Sequence, residues 1–329
     1  MFGVAFLYLC KSVPTIYGIE HQTYLRDKRV TFLFLNSEND KKMKEFNFCA
    51  PTTHQRIYNE EGGNDWYNRR IKKSVVVTFV WRAMNEREQC AFHQGVKILG
   101  KHPFFIVHPH SFSVDYLKSQ YEGIQSLSLP DENFRSIDSY NQMLLSPWFY
   151  ALFSDYEYML IYQIDAYVFS DQLDYWTTMG YDYIGAPWML NDKLYERFIG
   201  QWLTRLLQRR PINNYHIHSA HLFHRVGNGG FSLRRIPKMK EIMEKNQQLL
   251  QSLKGKHEKQ EDVAISIILK EKEQLNIPSW KLALYFSFEK APAKCFELTH
   301  GVLPFGCHDT NQRNWDSFWK FYIPQEKEL

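Results

Sequence analysis

The fold prediction depends on Glu157–Phe169, which reads Glu-Tyr-Met-Leu-Ile-Tyr-Gln-Ile-Asp-Ala-Tyr-Val-Phe. Its run of apolar, β-branched and aromatic side chains is typical of a strand that is buried on both faces of a sheet. The run ends on one carboxylate, Asp165, and a buried acid needs a partner, a cation or water. Two interpretations of Asp165 stay open: a residue that caps the turn after the strand, or a residue of a functional site.

Strand and helix patterns alternate along the chain before this stretch. Strands are predicted at Ser74–Trp81 and Phe104–Val107, and helices at Glu86–Leu99, Asp115–Gln120 and Ser139–Phe153, the last interrupted by its internal proline. The alternation favours an α/β fold with a Rossmann-like, mostly parallel central sheet that is flanked by helices. Sheets of this kind bind ligands beyond the carboxyl ends of their strands. Asp165 is predicted to lie at that edge.

The second half of the chain contains a glycine-rich loop and an acidic helix start. A strand is predicted at Tyr181–Pro187 and helices at Pro237–Leu253 and Glu261–Lys272. Val226–Arg234 packs three glycines around Asn228, which indicates either a tight turn or a close approach of the backbone to another group. Glu261 and Asp262 begin a helix, where acids are common for electrostatic reasons alone.

Composition restricts the class of protein. The 329 residues are 44% hydrophobic and 23% charged, which is typical of a globular chain. The net charge of +4 is too small to suggest a nucleic-acid-binding protein. The five cysteines form no Cys-x-x-Cys pair, which argues against a disulfide framework or a structural zinc site and favours a cytoplasmic location. We find no apolar run long enough for a membrane span and no convincing signal peptide.

We divide the chain into an N-terminal extension, residues 1–70, with one predicted strand at Val30–Leu35, and a main domain, residues 71–324. Lys193–Arg210 has the pattern of a basic amphipathic helix. Such a helix suits peripheral contact with the inner face of a membrane, although packing on the domain with solvated arginines explains the same pattern. Near the end of the chain, His308 is a candidate ligand or acid, and a purely structural histidine is the alternative.

Six segments together resemble the GT-A glycosyltransferases and, more closely, a bacterial family of unknown function, DUF5672, that is assigned to the GT-A fold. The segments are Tyr140–Asn141, Tyr162–Phe169, Tyr181–Trp188, Asn228–Arg234, Glu261–Val263 and Pro304–His308. The resemblance covers residues 73–324 and excludes the N-terminal extension.

The resemblance implies a glycosyltransferase of the hexosyltransferase type. It would move a sugar from a nucleotide-sugar donor, expected to be a UDP-sugar, to a glycan or lipid-linked acceptor in the synthesis of a surface polysaccharide, with inversion. A carboxylate must then take the proton of the attacking hydroxyl. We assign this role to Asp262, with Glu261 as the second candidate.

The resemblance also implies the binding residues. Donor contacts are assigned to Asn141, Asp165, Tyr167, Asn228, Gly229 and Gly230, and a stacking contact with the acceptor sugar is assigned to Trp188. GT-A enzymes commonly hold a divalent metal on an Asp-x-Asp motif, which neutralises the charge of the leaving diphosphate. Here Tyr167 stands in place of the second acid, so Asp165 and His308 are the candidate ligands for Mn²⁺ or Mg²⁺, with substrate phosphates completing the set.

Two other functions stay open. A glycoside hydrolase would use two carboxylates such as Asp165 and Asp262 across the scissile bond and would need no nucleotide. A catalytically degenerate sugar-binding module is the third interpretation, because the second acid of the metal motif is absent.

Overall fold

A computed structural model describes residues 72–189, 221–253, 260–310 and 312–324, together with two short strands near the amino terminus. The chain divides into two compact units, Met1–Trp66 and Tyr67–Leu329. In the first unit, β1 (Val30–Phe32) and β2 (Lys44–Phe46) pair antiparallel. The predicted helix over residues 193–210, with its predicted membrane contact, lies outside the described residues. Within the ranges given above, no helix has both the length and the apolar character needed to cross a membrane.

The second unit contains two sheets. Its strands are β3 (Ser74–Phe79), β4 (Phe104–Pro109), β5 (Ile124–Leu129), β6 (Tyr158–Tyr162), β7 (Tyr167–Val168), β8 (Tyr183–Ile184), β9 (Phe231–Arg235), β10 (Ser287–Phe288) and β11 (Gly306–Cys307). The main sheet has the order β5-β4-β3-β6-β9-β8, with β5, β4, β3 and β6 parallel and β9 antiparallel to both of its neighbours. The small sheet has the order β10-β11-β7. The prediction of a mostly parallel central sheet is therefore confirmed.

Helices cover both faces of the main sheet. They are α1 (Glu86–Leu99), α2 (Asp115–Gln120), α3 (Ile137–Leu144), α4 (Pro147–Ala151), α5 (Leu173–Thr178), α6 (Ile236–Lys245), α7 (Gln247–Ser252), α8 (Glu261–Val263), α9 (Lys270–Lys272), α10 (Trp280–Phe286), α11 (Pro292–Leu298) and α12 (Gln312–Ser317). The turns of Ala264–Leu269 are π-helical and join α8 to α9. Two separate clusters of buried apolar side chains lie on the two faces of the sheet.

Several predicted bounds differ from the observed ones, for local reasons. The predicted helix over Ser139–Phe153 is two helices, because Pro147 occupies the first turn of α4. Pro237–Leu253 is also two helices, which meet at Asn246. Tyr181–Pro187 contains only the two-residue strand β8. Strand β5 had no prediction because its sequence, Ile-Gln-Ser-Leu-Ser-Leu, is half polar.

Helix α1 packs closely on β6 through one glycine. A capping box at Asn85 and Glu88 begins the helix. One turn before its end, Gly95 faces Tyr162, and a Cβ atom at Gly95 would lie 2.8 Å from the Tyr162 ring. The Tyr162 hydroxyl donates to the Ala91 carbonyl oxygen at 2.6 Å, so the ring has little freedom to move. The close contact seats α1 against the strand that leads to Asp165.

We expect Gly95→Ala to destabilise the protein although alanine favours helix. The added methyl group would overlap the fixed ring of Tyr162, and overpacking of this kind costs about 1–3 kcal/mol. Lys97→Ala, on the exposed face of the same helix, is the matched control and should change the free energy of unfolding by less than about 0.5 kcal/mol. Urea unfolding followed by circular dichroism measures both, and equal stabilities of the two variants would contradict the packing described here.

Candidate active site

A cleft of about 600 Å³ lies at the carboxyl edge of the parallel strands. Chain segments that follow β3, β6, β10 and β11, and the loop that precedes the antiparallel strand β9, all contribute to its wall. Trp81 follows β3, Gln163 follows β6, Glu289 follows β10 and His308 follows β11. Asn228–Gly230 lie in the loop before β9. This is where open α/β sheets bind ligands.

His308 lies at the centre of a polar cluster in the cleft. Its Nε2 atom lies 3.1 Å from an Asp165 carboxylate oxygen and 3.0 Å from Gln163 Oε1, and its Nδ1 atom lies 3.2 Å from Glu289 Oε2. Burial by itself would lower the pKa of His308, but the carboxylates of Asp165 and then Glu289 outweigh it and hold the pKa well above its usual value. Burial would raise the pKa of Asp165, but His308 outweighs that effect and lowers it. The cluster therefore holds an imidazolium between two carboxylates.

Glycine at position 230 allows His308 to occupy this place. A Cβ atom on Gly230 would lie 2.2 Å from His308 Nε2. The Gly230 carbonyl oxygen also accepts from the Gln163 backbone N–H at 2.9 Å, which continues the pairing of β6 with β9. The predicted close approach of the glycine-rich loop to another group is thus confirmed, and the group is the histidine.

Glu261 forms a buried ion pair beneath the cleft. Arg234 is fully buried and donates to Glu261 Oε1 at 2.5 Å, to the Tyr150 hydroxyl at 3.2 Å and to Ser232 Oγ at 3.1 Å. The second oxygen of Glu261 accepts from the Asp262 backbone N–H at 2.7 Å. Glu261 is therefore occupied in holding the start of α8, and its carboxylate is less suited than Asp262 to the role of a base.

Asp262 lies in the wall of the cleft, one residue beyond this pair. Its carboxylate accepts from the Val263 backbone N–H at 2.7 Å. Burial, together with the negative charges of Glu261 and Glu289, raises the pKa of Asp262 to about 8. A buried carboxyl group with a pKa near neutrality can exchange a proton with a substrate under ordinary conditions, which is the property of a general acid or base.

Trp188 and the glycine-rich loop pack tightly on each other. A Cβ atom on Gly227 would lie 1.7 Å from the Trp188 ring, and a Cβ atom on Gly229 would lie 2.1 Å from Glu261 Oε1. Trp188 lines the cleft but is only 4% exposed, packed with Val263 and Ile267. Only a small part of its surface is therefore accessible for the predicted contact with an acceptor sugar.

Asn141 and Tyr140 lie on α3 and also line the cleft. Asn141 is buried, and its side-chain oxygen lies 3.5 Å from the Glu261 backbone nitrogen. The Tyr140 hydroxyl accepts from Gln163 Nε2 at 2.9 Å. The α3 residues thus contact both α8 and the polar cluster around His308.

Unlike the other predicted site residues, Tyr167 and Asp165 do not line the cleft. Tyr167 is buried in β7, with its ring 5.2 Å from that of Phe169, and it does not line the cleft. Asp165 reaches the site through His308, with 43% of its side chain exposed. The structure therefore brings Asp165, Asn141, Trp188, Asn228–Gly230, Glu261, Asp262 and His308 to one site and leaves Tyr167 outside it.

The mouth of the cleft combines exposed apolar and cationic side chains. Trp81 is 41% exposed and Ile137 is 76% exposed. Arg135 and Lys290 are exposed at the same mouth. A flat ring and two cations outside an acidic interior suit a ligand with a planar group and negative charge.

A family described as Protein of unknown function (DUF5672) matches residues 123–308, more than half of the chain. The chain belongs to this family. The matched range includes every residue assigned above to the cleft except Trp81, which precedes it. No curated protein sequence matches the chain.

Solved structures that are similar in fold to this DUF5672 chain include a glycosyltransferase. It is described as galactosyltransferase LgtC in complex with donor and acceptor sugar analogs. The two are 12% identical with a TM-score of 0.45, over 72% of this chain and 87% of that chain. At this TM-score the similarity establishes no activity for the chain.

The cluster around His308 fits a divalent metal only as a partial ligand set. Among the described residues, no group of three His, Cys, Asp or Glu side chains is arranged to hold a metal ion. Gln163 Oε1 adds a third donor atom beside Asp165 and His308. Glu289 on the other ring nitrogen is the outer partner that metal-bound histidines usually have. Three protein donors leave room for substrate oxygens, as magnesium sites require.

Gln163, Glu289 and Tyr140 had no place in the predicted site. Gln163 had a signal in the sequence, because it lies two residues before Asp165 after the same buried strand. Glu289 had none, since an acid after the two-residue strand β10 looks like any surface residue. Trp81 was predicted only as the last residue of a strand.

We expect Arg234→Gln to destabilise the protein strongly, because it leaves the buried Glu261 carboxylate without its partner. Loss of one member of a buried pair costs about 3–5 kcal/mol. Arg235→Gln is the matched control: Arg235 bonds Glu157 at 2.8 Å with 44% of its side chain exposed, and its loss should cost about 1 kcal/mol or less. Urea unfolding at neutral pH measures both.

The double variant Arg234→Gln/Glu261→Gln should lose less stability than the sum of its single variants, because no unpaired charge remains. Additive losses, or an Arg234→Gln variant as stable as Arg235→Gln, would contradict the buried pair.

Proposed function

We propose that this DUF5672 chain is a GT-A-type glycosyltransferase that moves a sugar from a nucleotide-sugar donor to a hydroxyl group of an acceptor glycan. The observation that carries the proposal is Asp262, a buried carboxyl group with a pKa raised to about 8 in the wall of a polar cleft at the carboxyl edge of a parallel sheet. The cleft volume of about 600 Å³ is large enough for a nucleotide sugar or for sugar rings.

The mouth of the cleft suits the nucleotide. The exposed Trp81 ring offers a stacking surface for a base, and the exposed cations Arg135 and Lys290 offer charge for a diphosphate. Asn141 and the glycines Gly229 and Gly230 also line the cleft, and the donor sugar would be held against them.

Asp262 in its ionised form would take the proton of the acceptor hydroxyl. That oxygen forms the new bond to the anomeric carbon, the bond from this carbon to the diphosphate breaks, and the electron pair leaves with the diphosphate. A single displacement of this kind inverts the anomeric centre. The high pKa of Asp262 means that its basic form increases as the pH rises through about 8.

Negative charge develops on the leaving diphosphate, and a cation beside it would stabilise that charge. A divalent ion bound together with the donor would be held by Asp165, Gln163 and His308, and His308 would lose its Nε2 proton when the ion binds. The ion would neutralise the charge of the diphosphate. Glu289 would keep the His308 ring oriented toward the cleft through Nδ1. We further propose a cytoplasmic site of action in surface polysaccharide synthesis, in line with the cysteine pattern.

We expect Asp262→Asn to lower kcat by about 10²–10⁴-fold while binding of the nucleotide sugar is retained, because only the proton acceptor is lost. For the wild type, kcat/KM should rise with pH and level off above about 8, since only the deprotonated base is active. Asp155→Asn, at an exposed acid outside the cleft, is the control and should leave both quantities unchanged. An Asp262→Asn variant with wild-type kcat would exclude Asp262 as the base.

A panel of UDP-, GDP- and CMP-sugars, tested for binding and slow hydrolysis with Mn²⁺ and with a chelator, examines the donor class. We expect UDP-sugars to bind with millimolar or better affinity and to be turned over. Binding of no nucleotide under either condition would refute the transferase and favour a hydrolase or a sugar-binding module. Turnover that resists the chelator would refute only the metal role of Asp165 and His308. The anomeric configuration of the product, read by NMR, tests inversion.

A further inference from the structure

Asn228 is a cleft residue whose side chain has an unused hydrogen-bond donor. It is 6% exposed, and its amide nitrogen is buried without a hydrogen-bond partner. Of the described side chains with such an atom, Asn228 is the one that lines the cleft. Buried polar groups are normally paired, so an unpaired donor in a ligand-binding cleft indicates that a ligand supplies the partner.

The backbone holds Asn228 in an unfavourable conformation. Its φ of +30° lies in the range that favours glycine. The residues on both sides are glycines with no room for a side chain, Gly227 against the Trp188 ring and Gly229 against the Glu261 carboxylate. A strained residue that is held on both sides is a common feature of binding sites.

The position of Asn228 relative to Asp262 indicates which part of a substrate it would contact. Gly229 lies against Glu261, so Asn228 precedes this contact by one residue and Asp262 follows it by one residue. Both side chains line the same cleft. A sugar ring that lies against Asp262 in this cleft can therefore also lie within reach of Asn228.

We propose that Asn228 is a specificity-determining residue, whose side-chain amide donates a hydrogen bond to an oxygen of the acceptor sugar beside the hydroxyl that Asp262 deprotonates. The assignment of this sugar as the acceptor rests on the proposed function. The hydrogen bond itself requires only that a sugar binds. An acceptor that lacks this oxygen leaves the buried amide unpaired, and sites of this kind reject such analogues strongly.

The experiment compares parent sugars with their monodeoxy analogues in the wild type, in Asn228→Gly and in Asn228→Asp. Glycine accepts the positive φ, and aspartate keeps the shape of the side chain but lacks the N–H donor. If one of the two variants does not fold, the other still tests the hydrogen bond. The matched control is Gln274→Gly, which also replaces a residue of positive φ, at an exposed position outside the cleft.

Two readouts are used: binding of methyl β-galactopyranoside, methyl β-glucopyranoside and their monodeoxy series by calorimetry, and kcat/KM of the same acceptors with any donor that is turned over. We expect the wild type and Gln274→Gly to discriminate against one monodeoxy analogue by about tenfold or more. This ratio should fall to about one in both Asn228 variants, while the ratios for the other analogues stay unchanged.

Retention of the ratio in the Asn228 variants, an equal loss for all analogues, or a wild type that discriminates against no analogue would overturn the proposal. Coupling of Asn228 to a deoxy position of the donor sugar would overturn the assignment to the acceptor. If the wild type turns over no nucleotide sugar, the proposed function fails, while the binding ratios still decide the role of Asn228.

Discussion

The buried ion pair between Arg234 and Glu261 is the interaction on which the rest of the site depends. Arg234 belongs to β9, in the main sheet, and Glu261 begins α8, so the pair ties the acidic helix start to the sheet. Two charges without water are stable only when each is fully bonded, and here Tyr150, Ser232 and the Asp262 backbone N–H supply the remaining bonds. The pair therefore specifies one arrangement of β9 and α8.

The chemistry of Asp262 follows from this arrangement. Burial, together with the neighbouring carboxylates of Glu261 and Glu289, raises the pKa of the Asp262 carboxyl group to about 8. Elsewhere in the lining of the cleft, His308 is held as an imidazolium by Asp165 and Glu289. The cleft thus has a titratable acid on one wall and a charged, hydrogen-bonded cluster on another, and the two share Glu289.

Much of the fold could be predicted from sequence because buried strands and amphipathic helices have strong local patterns. Helix α1 and helix α2 have the predicted bounds, and β6 lies where its apolar run indicated. Half-polar β5 and the short strands of the second sheet have no such pattern, because their pairing partners rather than their own residues decide them. Most of the predicted site residues line one cleft, whereas Gln163 and Glu289 were not among the predicted residues and Tyr167 packs in a core cluster.

The sequence alone determined the class of fold, the position of Asp165 after a buried strand, and the membership of Asn228, Asp262 and His308 in one set of motifs. These follow from local periodicity and from the order of short motifs. Only the tertiary structure decided which acids act together. Gln163 and His308 are 145 positions apart along the chain, yet their side chains lie 3.0 Å apart. The carboxylates of Asp165 and Glu289 keep His308 protonated against the effect of its burial, whereas burial is the main cause of the high pKa of Asp262. No local pattern encodes these effects or the contact.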